Sequence, residues 1–287
     1  MTLNDLLSLY EDSPAFIGLQ ERTRRQYSYM LRRMSDKIGG NIVVSELTVP
    51  TCEGICAAVA VNNGAPMAAA LKRCSSALFA WAVRQGYTDT NPWTNARVAG
   101  VKPREVVWNL DDMVTMYNIG MSHDYDDWRI PQTCAIVYLS YATAQRISDI
   151  KELSQSDINW HTQRLYFVQH KTGTRVSIPL IPQASALLAH YYPAKWEGKM
   201  FAPMNDIELS KSFAKVRKSL GLPREYCARD ARRTRVVELI DAGCTEHEIM
   251  SWTGHKNSAS LIPYAAIHGR EQTRAADAVL DKLAKGA

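Results

Sequence analysis

RDARRTRVVELIDAGCTEHEIMSWTGHKNSASLIPY, residues 229–264, is the stretch from which the reading of this chain starts. It places two arginines, Arg229 and Arg232, on the first turns of a helix. The pair Gly254-His255 follows, and then Tyr264. Guanidinium groups offer planar, permanently charged donor forks that match phosphate oxygens bidentately, and they act most strongly where negative charge builds up in a transition state. A tyrosine close by can act as a covalent nucleophile. The set suits chemistry on a phosphodiester.

The stretch resembles the C-terminal signature of the tyrosine recombinases, the family of phage integrases and Xer-type recombinases, whose common form is HxLRRT, a Gly-His and a nucleophilic Tyr. The separations Arg232 to Gly243, Gly243 to Gly254 and His255 to Tyr264 agree with that pattern, whereas the family's usual histidine is Arg229 here. Upstream, residues 134–144 (CAIVYLSYATA) are apolar on nearly all sides and read as a buried helix. They run into TAQRISDIKELSQSDIN, which resembles the family's TGLRxSEL box, with Arg146 at the arginine position and Asp149 at the acidic one. An arginine at the end of a buried helix is costly unless it is paired or bound to an anion, so Arg146 either serves Asp149 or an anionic ligand.

Residues 159–169 and 174–180 alternate like two strands of a hairpin joined by HKTG, which sets Lys171 in the turn. In the family a lysine on such a hairpin reaches the active site, and Lys171 matches it. Helices are expected over residues 110–119, 127–143, 184–192 and 207–220. A terminal amphipathic helix is expected over 270–285, with Ala276, Val279, Leu280 and Leu283 as its apolar stripe.

The first hundred residues read as an all-helical bundle, with helices over 2–11, 19–38, 49–61 and 66–85. In the second, Tyr27, Met30, Leu31, Met34 and Ile38 share one side, while Arg22, Arg25, Tyr29 and Arg32 form a basic face on another. In the fourth, Lys72 and Arg73 lie off the apolar face. Such faces are ordinary solvated surface in most proteins. Ahead of a phosphodiester-active domain they have a use in holding DNA phosphates without reading bases. The turn-rich run TDTNPWTNARVAGVKPRE, beginning at Thr88, marks a boundary near residue 104.

A chain of 287 residues is long enough for two domains with their own cores, and 46% hydrophobic content argues against disorder. A formal charge of +5 and a pI near 8.8 point mildly to a polyanionic partner. Six scattered cysteines, with no paired CxxC set, read as reduced thiols of a cytoplasmic protein. The N-terminus carries acids where a signal peptide carries bases, and no run is long enough to span a bilayer. Cys244, His247 and His255 could be imagined as metal ligands, but HExxH is absent and we expect no metal.

The resemblance implies a mainly α fold with a small β-hairpin: a SAM-like core-binding domain over residues 1–103 and a catalytic domain over 104–287. It implies an integrase of a phage or other mobile element that cleaves and rejoins DNA through a 3′-phosphotyrosyl bond, without a cofactor. Tyr264 would be the nucleophile, Arg146 and Arg232 the phosphate clamp, Lys171 the general acid, His255 a phosphate or proton-transfer partner, and Arg229 a third phosphate contact or an electrostatic aid to the tyrosine. Arg22, Arg25, Arg32, Lys72 and Arg73 would hold DNA. The partners implied are double-stranded attachment sites, accessory bending or directionality proteins, and three further copies of the chain in a tetramer joined by the tail helix. The simpler mode of DNA engagement, without a separate arm-binding module, is expected. A Xer-type resolvase, a type IB topoisomerase and a catalytically silent DNA-binding regulator are the alternatives.

Overall fold

The computed structural model describes residues 1–101, 104–192 and 198–265. The tail helix expected over 270–285 lies outside the described residues. The chain divides into two units, Met1–Pro103 and Arg104–Ala287.

The first unit is a helical bundle of α1 (Leu3–Glu11), α2 (Pro14–Ile17), α3 (Glu21–Ile38), α4 (Val49–Asn63), α5 (Ala65–Arg84) and α6 (Pro92–Asn95). A capping box between Thr2 and Asp5 starts α1. The expected helix over 19–38 begins later, because Ser13 caps the N-terminus of α2, Pro14 sits in its first turn, and Gly18 ends it. The centre is α5, whose Leu71, Cys74, Leu78, Phe79 and Trp81 pack with Leu31 and Met34 of α3, Cys52 and Val59 of α4 and fully buried Trp93 of α6. Burying a large apolar side chain contributes roughly 1.5–3 kcal/mol, so this cluster outweighs the propensities of the single helices.

The second unit is built round α8 (Arg129–Thr143), which is buried on nearly every side and packs against α7 (Leu110–Gly120), α11 (Asp206–Ser219) and α12 (Asp230–Asp241). The short α9 (Ile147–Lys151) follows directly. An antiparallel sheet of order β1-β2-β3 comes next, with β1 Ile158–Asn159, β2 Arg164–Val168 and β3 Arg175–Pro179. Leu165 pairs with Ile178 on its buried face, and Tyr166 pairs with Ser177 on its outer face.

The strand expected over 159–169 is therefore broken. Residues 160–163 turn, Asn159 Oδ1 accepts from Thr162 N, and Gln163 takes a left-handed φ of 51° that no extended strand tolerates. The unit continues with α10 (Pro182–Tyr191) before α11, and ends with α13 (Glu246–Thr253) and α14 (Ile262–Ala265) after α12. Ala144, Val236, Leu239, Ile249 and Leu261 form a small cluster of their own, against which Tyr264 and Trp252 pack. Among the described residues, no helix is long and apolar enough to cross a membrane.

Candidate active site

The chain leaves α8 through Ala144, held at a left-handed φ of 52°, so that it turns sharply into α9. This delivers Arg146 as the N-cap residue of α9 rather than as a member of a longer helix. Its guanidinium donates to Gln169 Oε1 at 2.8 Å and stands 3.8 Å from Asp149, with 23% of the side chain exposed. Asp149 turns the other way: its Oδ1 accepts from His170 N at 3.0 Å, tying the hairpin turn to α9.

Arg232 comes from the first turn of α12 and is 7% exposed. One of its terminal nitrogens meets Thr253 O at 3.2 Å and His255 Nε2 at 3.0 Å, while the other is buried without a partner among the described residues. Burial, and then the charge of Arg146, pull its pKa down to about 10, which leaves it charged at neutral pH.

Gly254 ends α13 in the left-handed region (φ 72°) and turns the chain so that His255 faces Arg232. Because a guanidinium can only donate, His255 Nε2 must accept, and the imidazole proton therefore sits on Nδ1. Nδ1 meets Thr253 Oγ1 at 2.8 Å, and that hydroxyl donates onward to Ile249 O at 2.7 Å. Burial first, then Arg232 and Arg146, depress the histidine pKa to about 4. His255 is a neutral acceptor at physiological pH.

Tyr264 lies on α14 with its ring centroid 6.4 Å from that of His255. The cation above its ring is Arg233, at 5.2 Å. Arg229, expected as a third phosphate contact or an electrostatic aid to the tyrosine, is the exposed N-cap residue of α12. Asp230, buried and held bidentately by Arg104 at 2.8 and 2.7 Å, follows it at the start of α12, and the first turn then brings Arg232 to His255 and Arg233 over the Tyr264 ring. Lys171 is exposed in the turn between β2 and β3, where its neighbours His170 and Thr172 are anchored on Asp149 and Gln169.

The structure thus gathers Arg146, Arg232, His255 and Tyr264, sets Lys171 on an anchored turn beside them, and leaves Arg229 at the surface. Sequence reading missed Arg233, Thr253, Gln145 and Gln169. Only the doubling of arginine at 232–233 hinted at the first, and nothing in the sequence marks the two glutamines, since the bonds that join them to Arg146, Trp252, Thr253 and each other span more than twenty positions. Among the described residues, no three His, Cys, Asp or Glu side chains are grouped so as to hold a metal ion.

In the first unit, Arg25 and Arg32 lie on the outer face of α3, which lines a shallow depression of about 600 Å³ with Arg24, Tyr29 and Arg33. Arg25 pairs with Glu21, and Arg32 lies 4.0 Å from Glu11. Arg22 is on the same helix. Lys72 and Arg73 border a second depression, about 510 Å³, with Ser76, Thr94 and residues 98–101.

The profile of the phage integrase family matches residues 123–270, more than half of the chain. The integrase of Escherichia phage HK022 is 26% identical over 94% of this chain and 77% of its own. A lambda integrase dimer bound to a COC′ core site superposes with a TM-score of 0.76 at 22% identity, over 94% of this chain and 79% of that one. A lambda integrase tetramer bound to a Holliday junction gives 0.74 at 20% identity, over 90% and 78%. The chain belongs to the phage integrase family, the tyrosine site-specific recombinases, enzymes that break and rejoin DNA strands.

Proposed function

We propose that this recombinase integrates or excises a phage or other mobile element, with Tyr264 as its nucleophile. The observation that carries the reading is the pair of arginines around His255, whose ring lies 6.4 Å from that of Tyr264. Arg146 is partly exposed, Arg232 keeps one buried nitrogen unpartnered, and both act electrostatically on the same histidine. A scissile phosphate placed there would give Arg232 its missing acceptor.

In the reaction, the Tyr264 oxygen forms a bond to phosphorus and the bond from phosphorus to the 5′-oxygen breaks. The phenol proton is given up to solvent, and neutral His255, held on one nitrogen of Arg232 through Nε2, keeps the other nitrogen aimed at the phosphate. Lys171 gives a proton to the leaving 5′-oxygen. Arg146 and Arg232 hold the non-bridging oxygens through the pentacoordinate state. A partner strand's 5′-hydroxyl reverses the steps, so the energy of the broken bond is kept in the phosphotyrosyl ester and no nucleotide is needed. Arg229, exposed at the rim, is a further contact to backbone phosphate.

Residues 1–103 act as the core-binding domain and 104–287 as the catalytic domain, with Arg22, Arg25, Arg32, Lys72 and Arg73 on DNA phosphates. Assembly as a tetramer through the tail helix, on attachment sites shared with accessory bending or directionality proteins, completes the reading. The lambda integrase tetramer on a Holliday junction supports the assembly.

The test incubates the protein with nicked or phosphorothiolate-trapped duplexes drawn from the DNA flanking its gene, followed by denaturing gels. A covalent adduct with wild type that is missing with Tyr264→Phe is expected. Binding without an adduct on any such duplex would instead favour a silent DNA-binding regulator.

A further inference from the structure

Gln145 and Gln169 have no part in the bond-making steps, yet both are fully buried at the junction of the site. The Gln169 carboxamide uses its whole hydrogen-bonding capacity. Its Oε1 accepts from Arg146 at 2.8 Å and from the Thr172 hydroxyl at 2.7 Å, while Nε2 donates to Gln145 Oε1 at 2.6 Å and to Thr253 O at 2.8 Å. The orientation of this amide is fixed at both ends by chemistry, because Arg146 only donates and a backbone carbonyl only accepts. Gln145 extends the chain of bonds, donating to Trp252 O at 2.8 Å.

One planar group thereby joins the turn that presents Arg146, the hairpin turn that presents Lys171 and the end of α13 that presents His255. The backbone passes so close at Gly254 that a Cβ there would stand 2.5 Å from Gln169 Nε2. Neutrality matters as much as reach. A carboxylate in this place would pair with Arg146 and offset the charge it brings to a phosphate. Asp149 already supplies one buried carboxylate: its Oδ1 accepts from His170 N, and its Oδ2 stands 3.8 Å from Arg146. An amide orients the guanidinium without adding a second negative charge beside it.

We propose that Gln169, backed by Gln145, is the positioning residue of this active centre: a neutral clamp that sets Arg146 against the Lys171 turn and the His255 loop. The inference rests on the roles proposed above for Arg146 and Lys171.

The test measures single-turnover cleavage of a suicide duplex at saturating protein, with DNA affinity measured in parallel, for wild type, Gln169→Met, Gln169→Glu and Thr172→Val. Gln169→Met is expected to bind DNA as wild type does and to cleave roughly 10²-fold more slowly, the scale for a catalytic group held out of register by about 1 Å. Gln169→Glu should be slower still at neutral pH, and its deficit relative to wild type should narrow as the pH falls and the new carboxylate takes up a proton. The Gln169→Met deficit should not change with pH. Thr172→Val, at a half-buried turn position, should lose about fivefold, the value of one ordinary hydrogen bond.

Wild-type rates in both Gln169 variants would overturn the proposal. A Gln169→Glu deficit as flat with pH as that of Gln169→Met would overturn the neutral clamp. If the Gln169 variants do not fold, Thr172→Val decides: an unchanged cleavage rate sinks the idea, and a slowed one with intact binding upholds it. Absence of an adduct from wild type would be a failure of the proposed function itself, distinct from any of these outcomes.

Discussion

Arg232 shows how one side chain can be structural and reactive at once. One of its nitrogens spans Thr253 O and His255, and the other is buried with no partner among the described residues. A lysine has a single ammonium and cannot serve both sides. Arg232→Lys is expected to keep DNA affinity and to lose roughly 10²–10³ in cleavage rate, the scale for one preorganised donor. Single-turnover kinetics on a suicide duplex checks it; a loss below tenfold would count against the clamp. His255 makes a prediction about pH. Its folded pKa of about 4 lies below the unfolded value near ~6.5, so the fold favours the neutral ring. The stability this adds is complete above about pH 6.5 and is lost as the pH falls towards 4, by up to about 3 kcal/mol before solvent screening reduces it. Thermal melting of the DNA-free protein should therefore drop between pH 7 and pH 5, and His255→Gln should flatten that slope. An equally steep slope in the variant would remove His255 as its source.

At the scale of elements, α13 and the turn at Gly254 set the distance between α12 and the hairpin. Gly254→Ala has two faults: a φ of 72°, and a Cβ only 2.5 Å from the Gln169 amide. It should destabilise the protein by about 1–3 kcal/mol, the range for strained backbone held against a packed neighbour, and denaturant titration would measure it. The long helices were legible because their apolar residues recur at helical spacing and a single face decides their burial: α5, α8 and α11 fall where the pattern of the sequence sets them. The breaks were not. That α2 separates from α3, and that residues 160–163 turn within an expected strand, follows from local capping and from one left-handed residue, Gln163, whose side chain gives no sign of it. That Arg233 is the cation over the Tyr264 ring was equally hidden in the sequence. The register of α12 is pinned by Asp230 on Arg104, a partner 126 positions away in the sequence.

For the molecule as a whole, affinity for DNA should be carried largely by phosphate contacts, with a slope of log K against log salt that falls by about one for each contact removed. Arg73→Ala, which removes an exposed cation beside the Lys72 depression, is expected to reduce that slope by about one. Arg25→Ala should reduce it less, because Glu21 already shares that charge. Fluorescence anisotropy on a short duplex from 50 to 300 mM salt, roughly the range over which such contacts are lost, would check both. Equal slopes for all three proteins would exclude these faces from the interface.

The sequence by itself determined the mainly helical class and the identity of the residues able to act on a phosphodiester, since helical period and residue chemistry are local properties. Which of those residues meet was decided only by tertiary structure. Burial of α8 forces the turn at Ala144 that presents Arg146, and Gly254 lets the backbone close on Gln169. A hydrogen bond between Arg232 and His255 then fixes the proton on the imidazole, and a cation–ring contact sets Arg233 beside Tyr264, each between residues more than twenty positions apart. Such contacts depend on how whole elements pack, and no spacing along the chain encodes them.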